Sequence, residues 1–374
     1  MFDNKKILIA AGGTGGHINP ALAVAGYIKE NCPTAEIAFI GNADKMEAKL
    51  VPQAGYELKT IEISGFYRSF SFAAIKHNIG TVIKMFKSFF KAKAIMKEYK
   101  PDLVIGFGGY VSGPVVRAAA KAGIPTAVHE QNAFPGVANK ALAGIVDRVM
   151  LTVADAEKYI KSKNPCVVTG LPIRGDILKA DRDFAKCDLN VHGKTLILSM
   201  GGSLGAKPVN DAVFELIKRK YTDKNLVFLH ATGKNAEEFR RRLAEAGVDT
   251  NKEKNVIVED YINVPRCMPA ADLIIGRSGA SSLSEIQALG KASVLIPSPY
   301  VTENHQYHNA MSLVNRGAAV ILEEKDLTGE SLDALVSDLL YDRARLEQIG
   351  RNAKAMAVTD ATARIFETLG QIVK

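Results

Sequence analysis

A histidine follows directly on a run of glycines near the start of the chain, in Gly12-Gly13-Thr14-Gly15-Gly16-His17. An imidazole titrates near neutrality, so it suits proton transfer. Glycines at a strand-to-helix turn let backbone N–H groups approach an anion, and the helix N-terminus favours negative charge there. A plain turn is the alternative, but several glycines plus a histidine exceed what a turn requires. The dinucleotide pattern G-x-G-x-x-G fails, because Ile18 stands where the third glycine belongs. The Walker pattern is absent as well.

Similar loops recur along the chain. Gly106-Phe107-Gly108-Gly109-Tyr110-Val111-Ser112-Gly113-Pro114 follows an apolar run, and so does Gly201-Gly202-Ser203-Leu204-Gly205-Ala206. Backbone amides in the second, with the Ser203 hydroxyl, suit a pyrophosphate. Turn chemistry alone also accounts for each loop taken singly. Gly276-Arg277-Ser278-Gly279-Ala280-Ser281-Ser282-Leu283-Ser284-Glu285 ends in a carboxylate, which can accept two sugar hydroxyls at once. Its competing explanation is helix capping. His129-Glu130-Gln131-Asn132 ends an apolar run, where open α/β sheets carry their reactive groups. Asn304-His305-Gln306-Tyr307-His308-Asn309 offers amides to hydroxyls, or is a solvated helix start. Its two histidines lack a nearby third ligand, so no metal is expected.

The elements that must hold these loops are legible as strand–helix alternation. Strands are expected at Lys5–Ala11, Glu36–Ile40, Leu58–Ile63, Leu103–Phe107, Thr126–Glu130, Arg148–Thr152 and Cys166–Thr169. A second series covers Thr195–Met200, Leu226–His230, Val256–Val258, Leu273–Gly276, Ser293–Pro297 and Ala319–Glu323. The alternation implies α/β architecture with two doubly wound, Rossmann-like parallel sheets and a ligand cleft between the domains. Both halves open alike, as ILIAAGGTGG from Ile7 and LILSMGGSLG from Leu196. The linker is expected within Thr169–Lys186, and an amphipathic helix at Ala361–Val373.

The 374 residues carry a formal net charge of +8, and at about 100–200 residues per domain that length suggests two domains. Lys and Arg outnumber Asp and Glu by 22 to 13 through Arg174, while the remainder holds 26 against 27. The excess therefore sits in one half and points to an anionic partner there. Between Phe66 and Lys100 there are eight basic residues and one acid, Glu98. Ile75, Ile79, Val82, Ile83, Phe86, Phe89 and Phe90 fall at helical spacing, with Lys76, Lys84, Lys87, Lys91 and Lys93 between them. The commoner explanation packs that apolar face on a sheet. A helix lying in a membrane interface has the same pattern. Cys32, Cys166, Cys187 and Cys267 are scattered, which fits a reducing cytosol. No apolar run approaches a spanning helix, and the N-terminus reads as a buried strand rather than a signal peptide.

Taken together, GGTGGHINPA, FGGYVSGP, HEQNAFPG, GLPIR, GGSLGA, GRSGASSLSE and NHQYHNA resemble the bacterial N-acetylglucosaminyltransferases of peptidoglycan synthesis, over nearly the whole chain. The resemblance implies the GT-B fold and transfer of GlcNAc from UDP-GlcNAc to lipid I, giving lipid II. It implies an acceptor-binding, membrane-facing domain at 1–170, with a helix at about 360–374 packed back on it, and a UDP-GlcNAc domain at 171–359. Thr14, Gly15 and Gly16 would border the donor diphosphate and sugar, and Asn132 and Gln306 would contact GlcNAc. Arg174 and Ser203 would stabilise the diphosphate, and Ile262 would present backbone to uracil. Ala280, Ser281, Ser282, Leu283 and Ser284 would cradle phosphate and ribose, with Glu285 on the ribose hydroxyls. Gly108, Gly109, Tyr110 and Ser112 would form the acceptor loop. Ile75, Ile79 and Phe86, with Lys84, Lys87 and Lys91, would face the cytoplasmic leaflet of the cell membrane.

Deprotonation of the acceptor hydroxyl favours His17 as base, with Glu130 as second candidate. No cofactor is expected. The only DxD triplet, Asp181-Arg182-Asp183, lies in the expected linker, so no protein-anchored metal is expected either. A sugar-nucleotide epimerase, a dinucleotide oxidoreductase and a nucleic-acid binder are competing classes, beside another glycosyltransferase of the GT-B fold. The first needs no basic amphipathic helix. The second lacks its fingerprint, and the third lacks a recognisable motif or exposed stacking aromatics. Other cell-wall synthesis proteins are possible partners.

Overall fold

The computed structural model describes residues 1–65, 71–202 and 205–373, without the side chains of 72, 74 and 75. The chain divides into two compact units, Met1–Ile173 with 360–374, and Arg174–Thr359.

Unit 1 contains β1 (Lys6–Ala10), β2 (Glu36–Gly41), β3 (Glu57–Thr60), β4 (Leu103–Gly106), β5 (Thr126–Glu130), β6 (Arg148–Leu151) and β7 (Val167–Val168). They form one parallel sheet in the order β3-β2-β1-β4-β5-β6-β7. β4 and β5 are buried along their whole length, because helices cover both faces of the sheet. Those helices include α1 (Gly15–Asn31), α2 (Glu47–Gln53), α3 (Phe72–Tyr99), α4 (Gly109–Lys121) and α5 (Val137–Leu142). The order reverses between β1 and β4, so the loops after these two strands share one crevice.

The C-terminal helix Ala361–Gly370 belongs to unit 1. Ile365 and Leu369 are fully buried in its core, and Phe366 meets Phe2 and Tyr27 edge-on at 5.0 and 5.5 Å.

Unit 2 repeats the plan with β8 (Thr195–Met200), β9 (Leu226–Ala231), β10 (Val256–Glu259), β11 (Leu273–Gly276), β12 (Ala292–Leu295) and β13 (Val320–Ile321). Their order is β10-β9-β8-β11-β12-β13, also all parallel, and it reverses between β8 and β11. β7 and β13 are shorter than the sequence suggests. Both are edges, with a partner on one side only, so their ladders stop early.

α3 departs from the commoner expectation for an amphipathic helix on a sheet. Ala92, Ile95 and Met96 enter the core, but the preceding turns turn a polar seam inward. Thr81 Oγ1 lies 2.9 Å from Ser64 Oγ, Ser88 donates to the Glu62 carbonyl at 2.6 Å, and His77 Nε2 donates to the Gly65 carbonyl at 3.0 Å. The apolar stripe faces outward: Ile79, Ile83, Phe86 and Phe90 are each more than half exposed. Phe89, set off from these four, packs partly against the core. Among the described residues, no helix is long and apolar enough to cross a membrane.

Candidate active site

In unit 1 the loops after β1, β4 and β5 interlock. Gly109 has φ +74°, and a Cβ there would lie 2.3 Å from the Gly12 carbonyl oxygen, so the first two loops touch backbone to backbone. Ser112 is buried between them. Its hydroxyl accepts from Gly108 N–H at 3.0 Å and lies 3.1 Å from the Ala10 carbonyl. It therefore braces the loops from beneath. Tyr110 next to it is half exposed.

Glu47, at the start of α2, is completely buried and organises the first loop. Its carboxylate accepts from Gly13 N–H at 3.0 Å and Asn42 N–H at 2.9 Å. Thr14 N-caps α1 through its backbone, with its carbonyl accepting from His17 N–H at 3.1 Å. Thr14 and Gly16 are exposed and Gly15 half-buried, so this loop's surface remains open.

His17 stands in the first turn of α1, with its Nδ1 3.0 Å from Gln131 Oε1. Gln131 Nε2 donates to the His129 carbonyl at 3.0 Å and lies 3.2 Å from His129 Nδ1. His129 Nε2 reaches the Gly170 carbonyl at 2.8 Å. His129 is fully buried, stacked 5.5 Å from Phe107, and burial pushes its pKa down to about 4.

Glu130 is oriented differently. It is 1% exposed, and its oxygens accept from Asn132 N–H (2.9 Å), Asn132 Nδ2 (3.2 Å), Gly136 N–H (3.0 Å) and Asn139 Nδ2 (2.7 Å). Its carboxylate is thus spent on shaping the loop that presents Gln131 and Asn132.

In unit 2 the ends of β8 and β11 carry the other glycine loops. The helix Ala280–Leu289 starts at Gly279, which supplies no side-chain cap. Capping by a serine side chain at the N-cap is therefore not what is seen, and the first N–H groups make a candidate anion site. Ser281 and Ser282 are half-buried, while Leu283 and Ser284 are buried.

Glu285 on the same helix accepts from Arg174 Nε at 3.1 Å and Nη2 at 2.8 Å, both on Oε1. Burial pushes the Glu285 carboxyl up, and the Arg174 charge pulls it back. Gln306 uses its amide oxygen to accept from Ser298 N–H at 2.9 Å, so the amide nitrogen is turned the other way. Its carbonyl accepts from Ser278 Oγ at 2.7 Å, and Asn309 Nδ2 donates to the Ser278 carbonyl at 3.1 Å. These bonds tie the two loops together. Glu303 and Asn304, just before, both have left-handed backbones at φ 52° and 50°. Such strain in two successive non-glycine residues is typical of binding segments.

Two family models match the chain: the glycosyltransferase family 28 N-terminal domain over residues 7–151 and its C-terminal domain over 196–365. A UDP-N-acetylglucosamine--N-acetylmuramyl-(pentapeptide) pyrophosphoryl-undecaprenol N-acetylglucosamine transferase of Acetivibrio thermocellus is 45% identical, covering 99% of this chain and 98% of its own. The chain belongs to glycosyltransferase family 28. A second transferase of the same description, from Ruminiclostridium cellulolyticum, is 43% identical over 98% of this chain and all of its own. A crystal structure of MurG from Acinetobacter baumannii matches with a TM-score of 0.79 and 29% identity, covering 98% of this chain and 99% of that one.

Within this family 28 chain, the remaining candidates fall as follows. Ile262 follows β10 and packs on the unit 2 core, which fixes the backbone there. Ser203 and the side chain of Ile75 lie outside what is described. Arg277, part of the GRSGASSLSE motif, is a brace: it bonds the Ile296 carbonyl at 3.1 Å and pairs with Glu324. Asp181, in the DxD triplet, caps the helix Arg182–Asp188 by accepting from Phe184 N–H at 2.7 Å. Sequence reasoning assigned no role to Glu47 or Gln131. Gln131 lies within the His129–Asn132 motif, whereas nothing in the local sequence marks Glu47 as buried.

Proposed function

We infer that the protein transfers GlcNAc from UDP-GlcNAc to the 4-hydroxyl of the muramyl sugar of undecaprenyl-pyrophosphoryl-N-acetylmuramyl-pentapeptide (lipid I), giving lipid II and UDP. The observation that carries this reading is identity above 40%, from end to end, with transferases of that description. In this reading unit 2 holds the donor. Glu285 takes the ribose hydroxyls, the Ala280–Leu289 helix start takes the diphosphate, Arg174 adds a positive charge, and Ile262 offers backbone to uracil.

Unit 1 holds the acceptor and the base. The acceptor oxygen attacks the anomeric carbon as the bond to UDP breaks, and the hydroxyl proton passes to His17. Attack opposite the leaving group inverts the α-linked donor to a β-linkage, with no covalent intermediate. Charge developing on UDP is stabilised by fixed donors rather than by a proton. Glu130 serves this chemistry by holding its loop.

The enzyme acts at the cytoplasmic side of the cell membrane as a peripheral protein. The support is the outward stripe of Ile79, Ile83, Phe86 and Phe90 on α3, flanked by the exposed Lys84, Lys87 and Lys91. Buried apolar area plus attraction to anionic headgroups is how an interfacial helix binds.

Incubation with labelled UDP-GlcNAc and a lipid I analogue should give a labelled disaccharide lipid and UDP. Recovery of epimerised UDP-sugar, with no label in the lipid, would replace the transferase reading with the epimerase one.

A further inference from the structure

We propose that Gln131 and His129 form a proton-fixing relay that holds His17 in one tautomer, with the proton on Nδ1 and the lone pair on Nε2. This deepens the assignment of His17 as base and rests on it for its catalytic meaning.

A carbonyl oxygen only accepts, so at 2.8 Å from the Gly170 carbonyl His129 Nε2 must carry a proton. A neutral imidazole has one N–H, so His129 Nδ1 is then an acceptor. Its burial, with a pKa near 4, keeps it neutral through the physiological range. An acceptor on that side demands a donor, and Gln131 meets it with Nε2, 3.2 Å away. The same nitrogen donates to the His129 carbonyl at 3.0 Å, which fixes the direction of the amide. Gln131 Oε1 must then face His17, and an amide oxygen can only accept. His17 Nδ1, 3.0 Å away, therefore donates.

Each link has one allowed direction, so the order is propagated from a backbone carbonyl to the candidate base. What remains on His17 is Nε2, unprotonated and on the far side of the ring from Gln131. That is the state a general base needs before it takes a hydroxyl proton. After transfer, the imidazolium keeps its bond to Gln131 Oε1.

The surroundings leave little room for another arrangement. Gln131 is 3% exposed. Gly108 has φ +95°, and a Cβ there would lie 2.8 Å from His17 Nδ1 and 3.4 Å from Gln131 Oε1. The glycine of the second loop is thus what lets the histidine of the first reach the glutamine of the third. The carboxylates on adjoining elements do not compete for His17. Glu47 is taken up by Gly13 and Asn42 N–H, and Glu130 by Asn132, Gly136 and Asn139. Gln131 would thus be a positioning residue, acting through His17 and not on substrate.

Nitrogen-15 NMR of histidine-labelled full-length protein reads the tautomer directly. Wild-type His17, when neutral, should show a protonated Nδ1 and a bare Nε2. Gln131→Met, of similar volume but unable to accept, should show a mixture. Its kcat should fall about 100-fold, at the lower end of what a positioned base supplies, with UDP-GlcNAc binding retained.

Gln131→Glu can accept from Nδ1 and should recover part of that loss. Its added negative charge favours the imidazolium, so the acidic limb of kcat/KM should move to higher pH. The wild-type spectrum decides even where a variant fails to fold: Nε2–H as the main form of His17 overturns the relay. So does Gln131→Met with unchanged tautomer and turnover. His17→Ala separates the two ideas. If it keeps near-normal turnover, the base assignment fails and takes the relay's catalytic meaning with it, whatever tautomer the spectrum shows.

Discussion

At the switch point of unit 1, between β1 and β4, the polar groups are sealed against one another. Glu47, Ser112, His129, Glu130 and Gln131 are all buried, and their bonds run to backbone, to each other or to the neighbouring His17, Asn132 and Asn139 side chains. At the switch point of unit 2, between β8 and β11, the corresponding groups stand nearer the surface. Arg174 is half exposed, its bonds to Glu285 use one carboxylate oxygen, and the helix start at Gly279 has no side-chain cap. One topology has thus been furnished twice. The sealed version suits a proton-transfer group whose orientation must not vary. The open version suits a nucleotide that has to bind and leave, with an ion pair holding the carboxylate in place between visits.

The sharpest way to break this contrast is to cross the two sites. His17→Ala should lower kcat by about 10²–10⁴-fold, the usual contribution of a positioned acid–base group, with UDP-GlcNAc affinity nearly unchanged. Single-turnover kinetics with donor-binding titrations would check this. A variant that instead lost donor affinity, at unaltered kcat, would show that the division of labour is wrong.

The sealed interior carries a second, slightly smaller consequence. His129 in unit 1 and His230 in unit 2 are both buried, and burial pushes their pKa values down to about 4 and about 3. Unfolding returns each to about 6.5, so the unfolded chain binds more protons below that pH. Their contribution is intact above about pH 6.5 and is lost as pH falls toward the folded values, by about 3 kcal/mol for His129. Denaturant unfolding at about pH 7.5 and about pH 4.5 should show this loss, and His129→Asn should reduce it in unit 1. A pH-independent unit 1 would mean that His129 is not held neutral.

At the open site, Glu285→Gln should weaken UDP-GlcNAc binding by roughly tenfold or more, as loss of a charged acceptor does. Arg174→Ala should weaken it too. Because the two side chains pair, the double variant should lose less than the two single losses combined. Strict additivity in calorimetric titrations would mean that the pair seen here is not part of the binding site.

The difference between the sites also explains what could be read from the sequence. Buried apolar runs mark the central strands, and Thr126–Glu130, Thr195–Met200 and Leu273–Gly276 end where their spacing indicates. Unit 2's groups lie in contiguous motifs, because a helix start is local: Gly279 to Glu285 is a single stretch. Unit 1's network is assembled across the sheet. His17 and Gln131 are 114 residues apart, and the bond between them exists only because β1, β4 and β5 are neighbours in that order. Glu47 was illegible for a related reason. A carboxylate sequestered by two backbone N–H groups looks, in sequence, like any surface glutamate. The direction of the α3 stripe was equally hidden, since apolar residues at helical spacing have the same period whether they meet a core or a bilayer.

That stripe supplies the smallest effect and a control inside the same molecule. Unit 1 presents Lys84, Lys87 and Lys91 around exposed Ile79, Ile83 and Phe86, whereas unit 2 is nearly neutral and its exposed Lys252 lies beside Asp249. Each lysine near an anionic surface contributes about 1 kcal/mol, so one Lys→Gln change on α3 should weaken binding to anionic vesicles about fivefold. Lys252→Gln should change nothing. Raising the salt should shrink the α3 effects, because exposed charges are screened over a Debye length. Phe86→Ser should weaken binding at any salt, since its contribution is buried apolar area. Equal effects of Lys84→Gln and Lys252→Gln in a vesicle co-sedimentation assay would mean that the bilayer reads overall charge, and the contrast between the units would then stop at their interiors.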